Sequence, residues 1–228
     1  MKASAIIVAA GSGVRLGSQV PKAFVKLDGR TMLSYSLAAV AQVASISEVV
    51  IAVPEGFEKA ARAEVEAAGL GVPVKITPGG IERQDSVRIA LELTSSESDI
   101  VIVHDAARPL ATPGIFEACI ATAARASGAI AAIPVSDTLK RVTDSAITAT
   151  VARAGLWQAQ TPQAFRRALL VAAHQHAIGE KIAATDDADL VERTGARVEV
   201  VEASTDNIKI TTPSDLAIVE AIIASRTA

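Results

Sequence analysis

The segment Ala5–Lys22, AIIVAAGSGVRLGSQVPK, decides how the rest of the chain is read. Its opening run, Ala5–Ala9, contains only Ala, Ile and Val, the composition of a buried parallel strand. Gly11 and Gly13 then permit a tight turn that presents bare backbone amides, and Arg15 and Lys22 follow within reach. Amides clustered with two cations are the chemistry of a polyphosphate site. Two familiar phosphate loops do not match. G-x-G-x-x-G needs glycine where Leu16 stands, and no Gly-Lys-Ser/Thr run closes a Walker loop. What stands is Gly11-x-Gly13-x-Arg15-x-Gly17, then Pro21-Lys22. A plain strand-to-helix turn is the alternative, and it gives no reason for either cation.

The remaining sequence fits one α/β domain over 1–228. Strand patterns at Ala5–Ala9, Glu48–Val53, Val72–Thr77, Ile100–His104, Gly128–Pro134 and Arg197–Val201 alternate with helical ones near Thr31–Ala44, Gly56–Ala68, Arg83–Leu93 and Pro113–Ala126. This order predicts a Rossmann-like, mostly parallel sheet with helices on both faces. Thr212-Pro213 starts a last helix whose Leu216, Val219, Ile222 and Ile223 share a face. Val135–Gln160 breaks the rhythm with short alternating runs around Thr143-Asp144-Ser145, the pattern of a protruding two-stranded β-arm. Such an arm is barely stable alone, so it lies on a second copy of the chain or forms a flap on its own.

Composition narrows the partners. With 50% apolar but 3% aromatic residues, the core must be built from Ala, Val and Ile. A net charge of −3 argues against nucleic acid as a partner, while Arg15, Lys22, Lys26 and Arg30 concentrate positive charge locally. The lone Cys119 excludes an intrachain disulfide and reads as a core residue. His174 and His176 read as surface or packing residues on a helix. No signal-type segment follows Met1-Lys2, and no apolar run is long enough for a membrane span, so a cytoplasmic protein without a membrane partner is expected.

Further polar clusters fall where strands of a parallel sheet end, the usual place for ligands. Gly79-Gly80 precedes a helix start carrying Ser86, suited to a base or ribose; an ordinary loop is the alternative. His104-Asp105-Ala106-Ala107-Arg108-Pro109 follows IVIV: Asp105 could hold a hydroxyl or help position magnesium, and Arg108 could take a phosphate or merely pair with Asp105. Lys209 stands between Ile208 and Ile210, so its amine has a specific target.

AAGSGVRLG resembles the signature of nucleotidyltransferases. Together with VPK, GGxxRxxSV, HDAARP, DTLKR, LWxAQTPQxF and DNIKIT, in that order, the chain from Ile6 to about Glu220 resembles the 2-C-methyl-D-erythritol 4-phosphate cytidylyltransferase family. The resemblance implies transfer of CMP from CTP to the polyol phosphate, with magnesium held mainly by CTP phosphates, and a homodimer with crossing arms. It places CTP contacts on Ala9, Ala10, Gly11, Gly13, Arg15, Lys22, Gly80, Ser86 and Ala106. Polyol phosphate contacts fall on Asp105, Arg108, Thr185 and Lys209, with Thr138, Arg153 and Thr161 tied to the arm and Arg153 reaching over from the partner. Arg15, Lys22 and Lys209 are the expected catalytic cations. Val8, Ala23 and Ile81 depart from the pattern of many relatives without removing a cation. A ribitol-5-phosphate cytidylyltransferase is the alternative that these motifs leave open.

Overall fold

The computed structural model describes residues 1–227; Ala228, the end of the expected domain, lies outside the described residues. In chain order the elements are β1 (Ala3–Val8), β2 (Lys26–Leu27), β3 (Arg30–Thr31), α1 (Met32–Val40), β4 (Ile46–Val53), α2 (Glu58–Ala68), β5 (Val74–Pro78), α3 (Arg83–Glu92), β6 (Ile100–Asp105), α4 (Pro113–Arg125) and β7 (Gly128–Pro134). Then come β8 (Leu139–Thr143), β9 (Ala146–Val151), β10 (Trp157–Arg166), α5 (Arg167–Glu180), α6 (Asp187–Glu192), β11 (Val198–Glu202) and α7 (Pro213–Thr227). Seven strands form one sheet in the order β11-β7-β10-β6-β1-β4-β5, all parallel except β10.

Successive side chains of a strand point to opposite faces, so the unbroken apolar runs require cover on both sides. Ile7, Val49, Ile51 and Ile102 pack with Leu37, Phe116 and Ile120 on one face. Their chain neighbours Ile6, Val50, Val101 and Val103 pack with Val87, Leu170 and Leu190 on the other. Cys119 is fully buried in the first layer, where burial pushes its thiol up to about 12, too high for a nucleophile. A third cluster joins Leu16, Leu27 and Met32 to Ile210, Val219 and Ile223, so α7 docks as its apolar face predicts and ties down the glycine loop through Leu16.

The arm is real but shorter than its expected span of 135–160. Only β8 and β9 form the separate hairpin, turned by Asp144 and Ser145, whose φ angles of 49° and 64° give the left-handed pair of a tight hairpin turn. Residues from Trp157 onward return to the main sheet, pairing with β7 as Trp157↔Pro134 and Gln158↔Ile133. In the sequence this antiparallel strand is hidden by its glutamines. Gln160 and Gln163 are buried, yet each has amide partners: Gln160 accepts from Asn207 Nδ2 at 2.7 Å, and Gln163 donates to Asp186 Oδ2 at 2.8 Å.

Candidate active site

The glycine loop is closed by the Lys22 N–H donating to the Gly11 carbonyl at 3.2 Å. Gly13 sits at φ +75°, and a Cβ there would lie 3.1–3.3 Å from the Cβ, N and Cα of Lys22. The glycine therefore serves both the turn and the close approach of Lys22. A cavity of about 420 Å³ opens above this loop, at the carboxyl ends of β1 and β6. Arg15 and Lys22 of the loop line it together with Lys209, which is distant in sequence, as do Asp105 and every residue expected to contact CTP. A cavity of that size suits a small ligand.

Several of the amides around the cavity are held by the protein itself. Those of Ala9 and Ala106 donate to Ala52 O at 2.8 Å and Val8 O at 3.0 Å, so these residues shape the floor. The Gly80 amide donates to Ser86 Oγ at 3.1 Å, so this part of the cavity is a preformed loop and not two loose groups. Gly79 could carry no side chain, because a Cβ would lie 2.4 Å from Ala10 Cβ; the two loops touch.

Charge is organised around Asp105. Its Oδ2 accepts from Lys209 Nζ at 2.7 Å and its Oδ1 from Arg83 Nε at 2.9 Å. Burial alone would raise this carboxyl, but Arg83 and then Lys209 outweigh it and hold it well below the usual carboxylate range. Lys22 shifts the other way. Burial, then Lys209 and Arg15, bring it down from 10.5 to about 8, with Asp105 partly opposing. The motif reading does not single out Arg83 as a site residue. An arginine in the first turn of a helix opposes the helix dipole, and that mismatch is the one local signal that carboxylates await it.

The other residues expected to contact the polyol phosphate are less gathered. Thr161 is buried behind Asp105, accepting its N–H at 3.0 Å and contacting His104 Nδ1 at 3.2 Å, so its hydroxyl holds the strand end and does not face the cavity. His104 is fully buried and burial pulls it down to about 4, which keeps it neutral. Arg108 is also turned inward, donating to Asn207 O at 2.7 Å, and so tethers the loop that carries Lys209. Thr138, Arg153 and Thr185 are exposed and outside the cavity, with Arg153 donating to the Ser136 carbonyl at the base of the arm. His174 is buried against Asp187 and His176 is exposed, consistent with packing and surface roles.

The donor set limits how magnesium could be held. Among the described residues no three His, Cys, Asp or Glu side chains converge on a metal position, and both oxygens of Asp105 are taken by cations. The cavity, whose lining carboxylates are Asp105 and Glu82, therefore fits the ion as a companion of a bound triphosphate and not as a resident in a protein cage.

The family model for IspD, 2-C-methyl-D-erythritol 4-phosphate cytidylyltransferase, matches residues 3–225. The enzyme of that name from Pelotomaculum thermopropionicum is 42% identical over 227 residues, 99% of this chain and 95% of its own. The one from Deinococcus radiodurans is 45% identical, covering 97% and 89%. The crystal structure of the Thermus thermophilus enzyme superposes with a TM-score of 0.82 at 37% identity over 98% of this chain and 100% of its own. The seven-stranded, Rossmann-like sheet, the cation-lined cavity and these full-length matches agree: the chain belongs to the 2-C-methyl-D-erythritol 4-phosphate cytidylyltransferase family.

Proposed function

We propose that this cavity transfers CMP from CTP to 2-C-methyl-D-erythritol 4-phosphate, releasing pyrophosphate, with Arg15, Lys22 and Lys209 as the catalytic cations. The activity is that of the family, in the non-mevalonate route to isoprenoids. The observation that carries the residue roles is the convergence of Arg15 and Lys22 of the glycine loop with Lys209 of a distant segment on one cavity beside a doubly paired Asp105.

The attacking phosphate is already an anion, so no strong base is required. The barrier is repulsion between it and the triphosphate. Arg15 and Lys22 face the triphosphate and neutralise charge at the α-phosphate and the departing pyrophosphate. Lys209, fixed by Asp105, meets the attacking phosphate and orients it for in-line displacement. Magnesium, when bound with CTP, supplies further neutralisation of the phosphate oxygens.

We further infer a cytoplasmic homodimer with no nucleic-acid or membrane partner. In it the exposed Val142, Ile147 and Trp157 of the arm and its base cover the neighbour, and Arg153 clamps the neighbour's polyol phosphate. Support comes from the position of Arg153, which is exposed and outside the cavity of its own chain. Among the described residues no helix is long and apolar enough to cross a membrane. Arg153→Ala is expected to raise KM for the polyol phosphate while leaving KM for CTP within a few-fold; equal loss of both would remove the clamp assignment. Light scattering tests the dimer. Pyrophosphate release with methylerythritol phosphate and ribitol 5-phosphate offered side by side tests the substrate: faster turnover of the ribitol compound would overturn it.

The Lys22 shift sets a pH dependence. Its charged form is the one that meets CTP, and in the unliganded site that form is lost as pH rises through about 8. Since kcat/KM reports the free enzyme, kcat/KM for CTP should fall on the alkaline side with an apparent pKa near 8. Lys22→Arg, which stays protonated, should carry that limb out of range. An unchanged limb in that variant would exclude Lys22 as its source.

A further inference from the structure

A line of alternating charges runs from the cavity into the protein. Beyond the Lys209–Asp105–Arg83 contacts, Arg83 Nη1 donates to Asp187 Oδ2 at 2.8 Å, and Asp187 Oδ1 meets His174 Nε2 at 3.1 Å. Asp187 and His174 are 1% and 2% exposed. None of the sequence motifs contains either residue, and they come from α6 and α5, on the far side of Arg83 from the reacting groups.

The arrangement answers an electrostatic difficulty. Asp105 alone would pair fully with Lys209 and mask the amine meant for the incoming phosphate. Arg83 takes the other carboxylate oxygen, so Lys209 shares its partner. Arg83 in turn needs an anchor, since its Nη2 is buried with no partner among the described residues. Without one, the guanidinium could turn toward the phosphates and release Asp105. Asp187 supplies the anchor, and His174 fixes Asp187. The neighbouring Gln84 reinforces the clasp by donating to Ile182 O at 3.1 Å and accepting from Ala184 N at 2.9 Å. Thr185, an expected polyol contact, directly follows the second of these points of attachment.

We propose that Asp187, backed by His174, is a positioning residue for nucleotidyl transfer, holding Arg83 so that Asp105 is divided between Arg83 and Lys209. The proposal rests on the role assigned to Lys209 above, and a double-mutant cycle separates the two. Asp187→Asn should lower kcat for pyrophosphate release about tenfold, an ordinary coupling within one charge network, with KM for CTP within about twofold. In a Lys209→Ala background the same substitution should change kcat less than about twofold, because the group through which it acts is gone. A structural role would instead lower both backgrounds by the same factor, and that result overturns the proposal. So does an Asp187→Asn enzyme as fast as its parent. Should Asp187→Asn fail to fold, Arg83→Lys serves in the same cycle: it keeps a charge but cannot span both carboxylates, and it should show the same loss and the same dependence on Lys209. A Lys209→Ala enzyme as fast as its parent would sink the assignment of Lys209 itself, and the proposal with it.

Discussion

Lys22→Ala is expected to lower turnover by roughly 10²–10³, the usual cost of removing one donor that stabilises developing charge in a closed site. The size follows from where the amine sits. It is half-buried at the base of a loop closed by its own N–H, and it lines the cavity with Arg15 and Lys209. The loss should fall on kcat more than on KM for CTP, since Arg15 and the loop amides remain to hold the triphosphate. Folding should be unaffected, because bringing this amine close to Lys209 and Arg15 costs the folded protein charge repulsion that alanine relieves. Turnover within a few-fold of the parent, with an unchanged melting curve, would remove Lys22 from the reaction.

Arg83→Met should have the largest effect on stability. The guanidinium bridges Asp105 and Asp187, whose side chains are 8% and 1% exposed, and these two carboxylates, outweighing the cost of burial, hold it firmly charged. Removing one partner of a buried pair leaves charge uncompensated, at a cost of about 3–5 kcal/mol. For a chain of this size that corresponds to a fall in melting temperature of roughly 6–20 °C. Methionine keeps the aliphatic stem, so lost packing contributes little. The deficit should shrink as pH falls, because protonating the stranded carboxylates relieves their repulsion. A thermal scan showing less than about 1 kcal/mol of loss near neutral pH would mean that water already screens the bridge.

Much of this can be read from residue order alone, and the parts that cannot share a cause. The parallel strands announce themselves because a chain segment buried on both faces is apolar throughout, as Ile6-Ile7 and Val49-Val50-Ile51 are. The glycine loop is legible because its backbone geometry admits few other residues. β10 escapes such a reading because its interior glutamines find their partners across the fold, and a polar residue whose partner is 23 or 47 positions away looks solvent-exposed in sequence. Asp187 and His174 escape it for the same reason, and so do the partners of Arg83, although GGxxRxxSV contains that arginine. Buried ion pairs are long-range objects, and nothing local distinguishes Asp187 from Asp186, whose side chain caps α6. Conversely, Thr161 and Arg108 belong to recognisable motifs, but the Thr161 hydroxyl is spent on His104 and the Asp105 amide, and Arg108 Nη1 on the Asn207 carbonyl. A motif records which residues matter, not which of them reach the substrate.

The one antiparallel strand has a consequence for how the molecule tolerates change. Through Gln160 it grips the segment that delivers Lys209, and through Gln163 it grips the start of α6. The segment that brings Lys209 to the cavity and the helix that anchors Arg83 behind it are thus indexed to each other by a single ruler, gripped at neighbouring points along its length. Drift in the surrounding loops can be absorbed, whereas a one-residue slip of that ruler would displace both at once and leave the glycine loop, built on β1, untouched.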